Sequence, residues 1–151
     1  MSETSRVGRA RVLMLAKRLY DEIVAHCRRQ YPKEACGILA GHDGVVKQVY
    51  PMTNVEGSPI GYSMDPREQL HVEKTMRQHG QRMVGVYHSH TASPAYPSSV
   101  DVHLAVSPDI SYVLVSLMRK DDPVLKSYRI EGALITPEEW RMESAPGQAR
   151  N

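Results

Sequence analysis

The segment Met83-Val-Gly-Val-Tyr-His88-Ser-His90-Thr-Ala-Ser-Pro-Ala-Tyr-Pro-Ser98-Ser-Val-Asp101 carries the most structural information in this chain. Its first seven residues, 83–89, form an apolar run and predict a strand. His88 and His90 stand two apart at the end of that run, and a period of two points both imidazoles to one face. A Pro/Ser-rich loop over 91–98 follows, and a short helix is predicted from about 99 to 106. Two imidazoles converging at a strand end can hold a metal, and Asp101 can complete the set. Two His and one Asp with one position open make a ligand set for catalytic zinc, the open position holding a water that becomes the nucleophile.

The alternatives are ordinary histidines and an ordinary helix cap. His accounts for 7 of 151 residues, so a His-x-His pair arises by chance in roughly one such chain in three. Ser98-x-x-Asp101 is also a capping pattern, Ser at the N-cap and an acid three residues on. Requiring Ser and Asp at these offsets after His-x-His reduces chance occurrence to about one chain in a thousand. A cap can also fix where Asp101 points, so the two readings are compatible.

A water activated by a metal needs a base to take its proton and hand it to the leaving amine. The chain has no HExxH, so that base must come from elsewhere. Glu34, in Pro32-Lys-Glu-Ala-Cys-Gly-Ile-Leu39, stands at the mouth of an apolar strand and is one candidate. On the residues alone it reads more readily as a solvent-facing glutamate. Cys36 reads as a small buried hydrophobe or as a rival nucleophile.

Working outward, Leu15, Leu19, Ile23, Val24 and Cys27 recur at helical spacing and predict an amphipathic helix over roughly 16–30. The run 35–40 and the run 45–50 flank the turn signal Gly41-His-Asp-Gly44, which predicts a hairpin. Residues 51–64 read as loop, Asn54 being a turn residue. Asp65-Pro66-Arg67-Glu68 starts a helix, with an N-cap Asp and Pro at the first position, and the helix runs to His79 before Gly80. Runs at 112–118 and 125–130 predict strands, with a shorter one at 133–135. Helices interleave with strands and at least one hairpin, which places the chain in the α+β class with a mixed sheet rather than a doubly wound one. His26, His42, His71, His79 and His103 have no ligand spacing, and His103 falls on a solvent-facing helix position.

The length of 151 residues suits one domain with a core that needs no disulfide. The expected boundaries are 11–140, with polar tails at 1–10 and 141–151. A net charge of +2, with Arg6, Arg9 and Arg11 its only local cluster, argues against nucleic acid as the partner. No apolar stretch approaches the ~20 residues of a membrane span, and the N-terminus lacks a signal-peptide core. Cys27 and Cys36 match neither a disulfide framework nor a CxxC pair, and two free thiols point to the cytoplasm.

Glu34 followed by His88-x-His90-x7-Ser98-x2-Asp101 resembles in full the motif of the JAMM (MPN-plus) zinc metalloproteases. Within that family the chain is most similar to the short bacterial branch, which includes a protease that releases cysteine from a sulfur-carrier protein. The stretches at 34–41, 51–54, 68–70, 87–90, 96–98, 112–116 and 127–130, and Ser58-Pro59, carry the likeness across about residues 12–135. The branch often has Pro after the second His, where this chain has Thr91. The long insertions of eukaryotic deubiquitinating relatives have no room here, so selectivity among ubiquitin linkages is not implied.

The resemblance implies an MPN (cytidine-deaminase-like) fold, a curved, mostly antiparallel sheet flanked by helices. It implies one zinc per chain on His88, His90 and Asp101, Glu34 as general base and acid, and Ser98 as the oxyanion donor. It further implies hydrolysis after a C-terminal Gly-Gly of a ubiquitin-fold sulfur-carrier protein, within sulfur-amino-acid or thio-metabolite biosynthesis. A broader isopeptidase, a cysteine peptidase using Cys36 and a non-catalytic scaffold are the rival readings. The sequence leaves the oligomeric state open, a dimer included.

Overall fold

The computed structural model describes residues 12–57 and 61–143. Ser58-Pro59, the arginines of the first eleven residues, the expected tail over 1–10 and residues 144–151 lie outside the described residues. The elements are β1 (Val12–Ala16), α1 (Lys17–Gln30), β2 (Cys36–His42), β3 (Val45–Met52), α2 (Pro66–Gln78), β4 (Arg82–His90), α3 (Ser99–Leu104), β5 (Ser111–Ser116), β6 (Val124–Glu131) and β7 (Leu134–Glu143).

The strands join in the order β1-β3-β2-β4-β5-β6-β7 and close on themselves as a barrel. The α+β class and the mixed sheet with flanking helices agree with the expectation; where a curved, mostly antiparallel sheet was expected, the sheet closes on itself. The closure is made by β1, which runs parallel to β7 over its whole length and meets β3 at Met14 and Val45. Met14 N–H donates to the Gly44 carbonyl at 2.8 Å, which ties β1 to the β2–β3 turn. That turn needs left-handed backbone at Asp43 (φ 52°) and Gly44 (φ 78°), as the Asp-Gly pair suggested. Pairs β4–β5, β1–β3 and β1–β7 are parallel, and the other four are antiparallel.

Strands β2, β4 and β5 are covered on both faces, which is why they read as continuous apolar runs. On one face α1 supplies Leu19, Ile23 and Cys27 to a core with Leu13, Leu15, Leu39, Val113 and Val115. On the other, α2 places Val72 and Met76 against Cys36, Ile38 and Ala40. A third cluster, Tyr112, Leu114, Tyr128 and Ile130, packs with Ala95 of the loop after β4 and with Val102 of α3. The α2 cap forms as predicted, Asp65 Oδ1 accepting from Arg67 N–H at 3.0 Å. One strand, β1, was not expected, and another is longer than expected. Leu15 belongs to β1 rather than to the helix, and β7 continues to Glu143, through residues expected to fray.

Candidate functional site

Strand pairing brings the site together. Cys36 pairs with His88 across the antiparallel β2–β4 ladder. The Ser89 N–H bond to the Ala35 carbonyl carries the pairing one step further, and Glu34 is the next residue out, near enough to His90 and Asp101 for their charges to act on it. His88, His90 and Glu34 therefore gather at one end of the sheet. They are 4%, 5% and 5% exposed, so three polar side chains are held almost out of water together.

Asp101 arrives from α3. Ser98 Oγ accepts Asp101 N–H at 3.1 Å, and Ser98 N–H donates to Asp101 Oδ2 at 2.9 Å, a capping box that aims the carboxylate. Asp101 Oδ1 lies 3.1 Å from His88 Nε2, and Oδ2 lies 3.0 Å from His90 Nε2. The two Nε2 atoms are 3.3 Å apart. One donor atom from each of the three residues falls within 4.8 Å of the others. The capping box and the approach of Asp101 to both histidines thus coexist in one geometry.

The arrangement suits a metal ion. His90 Nδ1–H can donate to the Pro94 carbonyl at 2.9 Å, which turns the Nε2 lone pair inward. Burial depresses the pKa of His88, against the pull of Asp101, and so favours its neutral, ligating form. For His90, burial lowers the pKa, but the bonds to Asp101 and Pro94 and the nearby carboxylates outweigh it and the net shift is upward. Asp101 would be raised by its burial, yet the bonds from His88, His90 and the Ser98 backbone hold it well below the carboxylate range. Burial lifts Glu34 to about 7, His90 opposing and the charges of Asp101 and Glu56 adding. Converging lone pairs of two imidazoles and a carboxylate, each oriented by a further bond, are the donor set of a divalent cation.

Cys36 is fully buried, and burial, with the charges of Glu68 and Glu34 adding, pushes its thiol up to about 12. A thiolate nucleophile there is disfavoured. His103 is exposed, as expected of its helix position. Tyr62 stacks on His88 with centroids 4.7 Å apart and planes at 29°. With Leu104, Ala105, Tyr112, Leu114 and Ile130 it lines a small recess beside His88 and Asp101. Neither Tyr62 nor the second role of Asn54, described below, was visible as periodicity, because both lie in the irregular stretch before α2. Among the described residues, no helix is long and apolar enough to cross a membrane.

Comparison with known proteins agrees with this picture. A CysO-cysteine peptidase of Mycobacterium tuberculosis is 46% identical over 135 residues, covering 88% of this chain and 92% of the relative. A desampylase of Haloferax volcanii is 34% identical over 111 residues, 69% of this chain and 80% of its own length. A probable TtuB-protein conjugate cleaving protease of Thermus thermophilus is 38% identical over 92 residues, 60% of this chain and 62% of its own. Among solved structures, a protein from Desulfitobacterium hafniense superposes with a TM-score of 0.81 at 41% identity, over 92% of this chain and 98% of that one. A JAB1/MPN domain protein from Archaeoglobus fulgidus, 17% identical, shares the fold with a TM-score of 0.56 over 91% of this chain and 99% of that one. Residues 16–131 match the profile of prokaryotic homologs of the JAB domain, and the chain belongs to that family.

Proposed function

We propose that this protein is a zinc-dependent peptidase that hydrolyses the amide bond after a C-terminal Gly-Gly of a small ubiquitin-fold sulfur-carrier protein, releasing cysteine or a similar amine. The observation that carries the reading is the convergence of His88, His90 and Asp101 beside Glu34, in a chain 46% identical to a CysO-cysteine peptidase. A zinc ion held by His88 Nε2, His90 Nε2 and the Asp101 carboxylate would supply a Lewis acid and acidify a water. Glu34 takes the proton of the attacking water and passes it to the leaving nitrogen. The exposed Ser98 hydroxyl accepts from Asp101 N–H and keeps its own proton to donate to the oxyanion of the tetrahedral intermediate. Tyr62 stacks on His88 and shields that ring from water.

Glycines suit the end of the substrate tail, because a backbone without Cβ can approach a recessed centre closely. The tail is read by the loops beside the site, 53–57 with 61–64 and 91–97. Tyr96, Val100 and Leu104 are 55%, 53% and 48% exposed around α3 and form an apolar rim for a folded substrate to cover.

A broader isopeptidase is the second reading, favoured by the likeness to a desampylase and to a conjugate cleaving protease. The test is incubation with a carrier–cysteine adduct, ubiquitin chains and a short Gly-Gly peptide, each with and without chelator. The proposal expects chelator-sensitive release of cysteine from the adduct and little action on the other two. Comparable cleavage of ubiquitin chains or of the bare peptide would replace it with the broader activity.

A further inference from the structure

The peptide group joining Glu34 to Ala35 is held at both ends by side chains. Its carbonyl accepts a hydrogen bond from Asn54 Nδ2 at 2.9 Å. Its N–H donates to Ser89 Oγ at 2.8 Å. The β2–β4 ladder has its last registered pair at Cys36 and His88, and the Ser89 N–H bond to the Ala35 carbonyl, 3.0 Å, continues it. Beyond that point regular pairing gives out, and the next main-chain donor is taken by the Ser89 hydroxyl instead. Ser89 lies between the two histidines of β4 and, by strand alternation, points away from their face. It is fully buried, and besides accepting from Ala35 its hydroxyl is hydrogen-bonded to the Cys27 thiol.

Asn54 is equally committed. Nδ2 also donates to the Gly61 carbonyl at 3.1 Å, and Oδ1 accepts Glu56 N–H and Ser63 N–H, both at 3.0 Å. Two carbonyls on one side and two N–H groups on the other fix the amide's orientation and use its whole donor and acceptor capacity. One side chain thus locks the loop that carries Tyr62 and fastens that loop to the backbone of Glu34.

We infer that Asn54 and Ser89 are positioning residues that fix Glu34 against the metal ligands, one through each end of the Glu34–Ala35 peptide. This rests on the reading of Glu34 as the group that moves the proton. Ser89 refers Glu34 to the strand bearing His88 and His90, and Asn54 refers it to the wall of the site. A misplacement of about 1 Å in a reacting group can cost on the order of 10²-fold in rate, so a clamp of two hydrogen bonds has a kinetic consequence far beyond its contribution to stability.

Asn54→Asp keeps the accepting half of the side chain and removes the donating half. An aspartate still accepts from Glu56 and Ser63 N–H, but it can donate to neither the Glu34 nor the Gly61 carbonyl and faces both with a lone pair. Glu68→Ala is the control. Glu68 anchors the same segment by accepting Thr53 N–H at 2.8 Å and the Thr53 hydroxyl at 3.1 Å, without touching Glu34. Single-turnover rates and KM are measured on the zinc-loaded full chain with carrier–cysteine adduct, for these variants, for Glu34→Gln and for the Glu34→Gln, Asn54→Asp double variant. Asn54→Asp is expected to keep its zinc and its KM and to lose about 10- to 100-fold in rate. Glu68→Ala should stay within about threefold, and Asn54→Asp should cost nothing further once Glu34 is Gln, since residues acting as a unit are not additive. An Asn54→Asp rate near the parent's, an equal loss in Glu68→Ala, or an undiminished further loss in the double variant would each overturn the inference. If Glu34→Gln turns over like the parent, it is the proton-carrying reading that fails. The clamp is then judged by hydrogen exchange at the Ala35 amide, where Asn54→Asp should accelerate exchange at least about tenfold and an unchanged rate would refute it.

Discussion

Replacing Ser98 by Ala and, separately, by Gly distinguishes a cap from an oxyanion donor. Ser98 Oγ accepts Asp101 N–H at 3.1 Å, and the reciprocal bond from Ser98 N–H to Asp101 Oδ2 uses backbone and survives either change. Loss of the hydroxyl acceptor at an N-cap costs about 1 kcal/mol with Ala and only a few tenths with Gly. The helix it caps is six residues long, so this cost falls on the placement of Asp101 rather than on a large element. A disturbance of about 1 kcal/mol corresponds to a factor of about five. A missing oxyanion donor costs about 2.7–4 kcal/mol, or 10²–10³ in rate, whichever residue replaces it. The account therefore expects Ala and Gly variants with equal losses of at least about a hundredfold in turnover, full zinc content, and thermal midpoints that differ in the order parent, Gly, Ala. Turnover is followed as cysteine released from a carrier adduct, with unfolding measured on the same preparations. Losses under tenfold in both variants, or a loss confined to Ala, would show that Ser98 only caps α3.

Asp101→Asn should cut zinc affinity by at least about tenfold, because it removes the anionic ligand and the acceptor facing His88 Nε2 and His90 Nε2; equilibrium dialysis checks it. His26 packs in the core with Nδ1 2.7 Å from the Tyr87 hydroxyl, and burial, with Arg29 adding, lowers its pKa. The folded protein then binds fewer protons than the unfolded one below about pH 6.5, so this contribution to stability is full above that pH and is lost as pH falls. Urea unfolding from pH 7.5 to 5.5 should show the parent losing up to about 1.4 kcal/mol per pH unit more than His26→Gln, and parallel curves would contradict it. Gly37→Ala would push a Cβ into the Tyr87 ring, which is fully buried and bonded to His26; the expected cost is about 1–3 kcal/mol or a midpoint lower by about 2–12 °C, and an unchanged midpoint would refute the packing argument.

Much of the fold was legible because local chemistry and packing agreed. The Asp65-Pro66 start of α2, the Asp43-Gly44 turn and the apolar runs of β2, β4 and β5 each carry their own signal. The start of α1 does not. Its N-cap is Ala16, without a side-chain cap bond or an acid in the first turn, so the apolar pattern of β1 ran into that of the helix. β7 was hidden for another reason. Its one buried residue is Glu138, satisfied by the Ser127 hydroxyl at 2.6 Å and Arg129 Nε at 2.8 Å, so no apolar alternation marks the strand. Trp140 anchors it by stacking on Tyr20 and donating to the Leu125 carbonyl. Closure of the sheet depends on β1 and β7, and it was out of reach for the same reasons.

The candidate site was legible in the three residues that converge, since the spacing of His88, His90 and Asp101 pointed to a cluster and the fold brings them together. What surrounds them was not. Asn54 is a turn residue, as its sequence context suggested, but its second partner, the Glu34 carbonyl, lies 20 positions away and depends on tertiary structure. Ser89 carried no signal of its own, and its contact with the Glu34–Ala35 peptide emerges only when Ala35 is seen beside it.

Titration of zinc into chelator-stripped protein, with turnover of a carrier–cysteine adduct followed in the same samples, tests the central claim most directly. With His88, His90 and Asp101 as one site per chain, stripped protein should be inactive, turnover should rise linearly to one equivalent and then stay level, and a His88→Ala, His90→Ala variant should gain none. Turnover by the stripped protein, or a break far from one equivalent, would contradict the account.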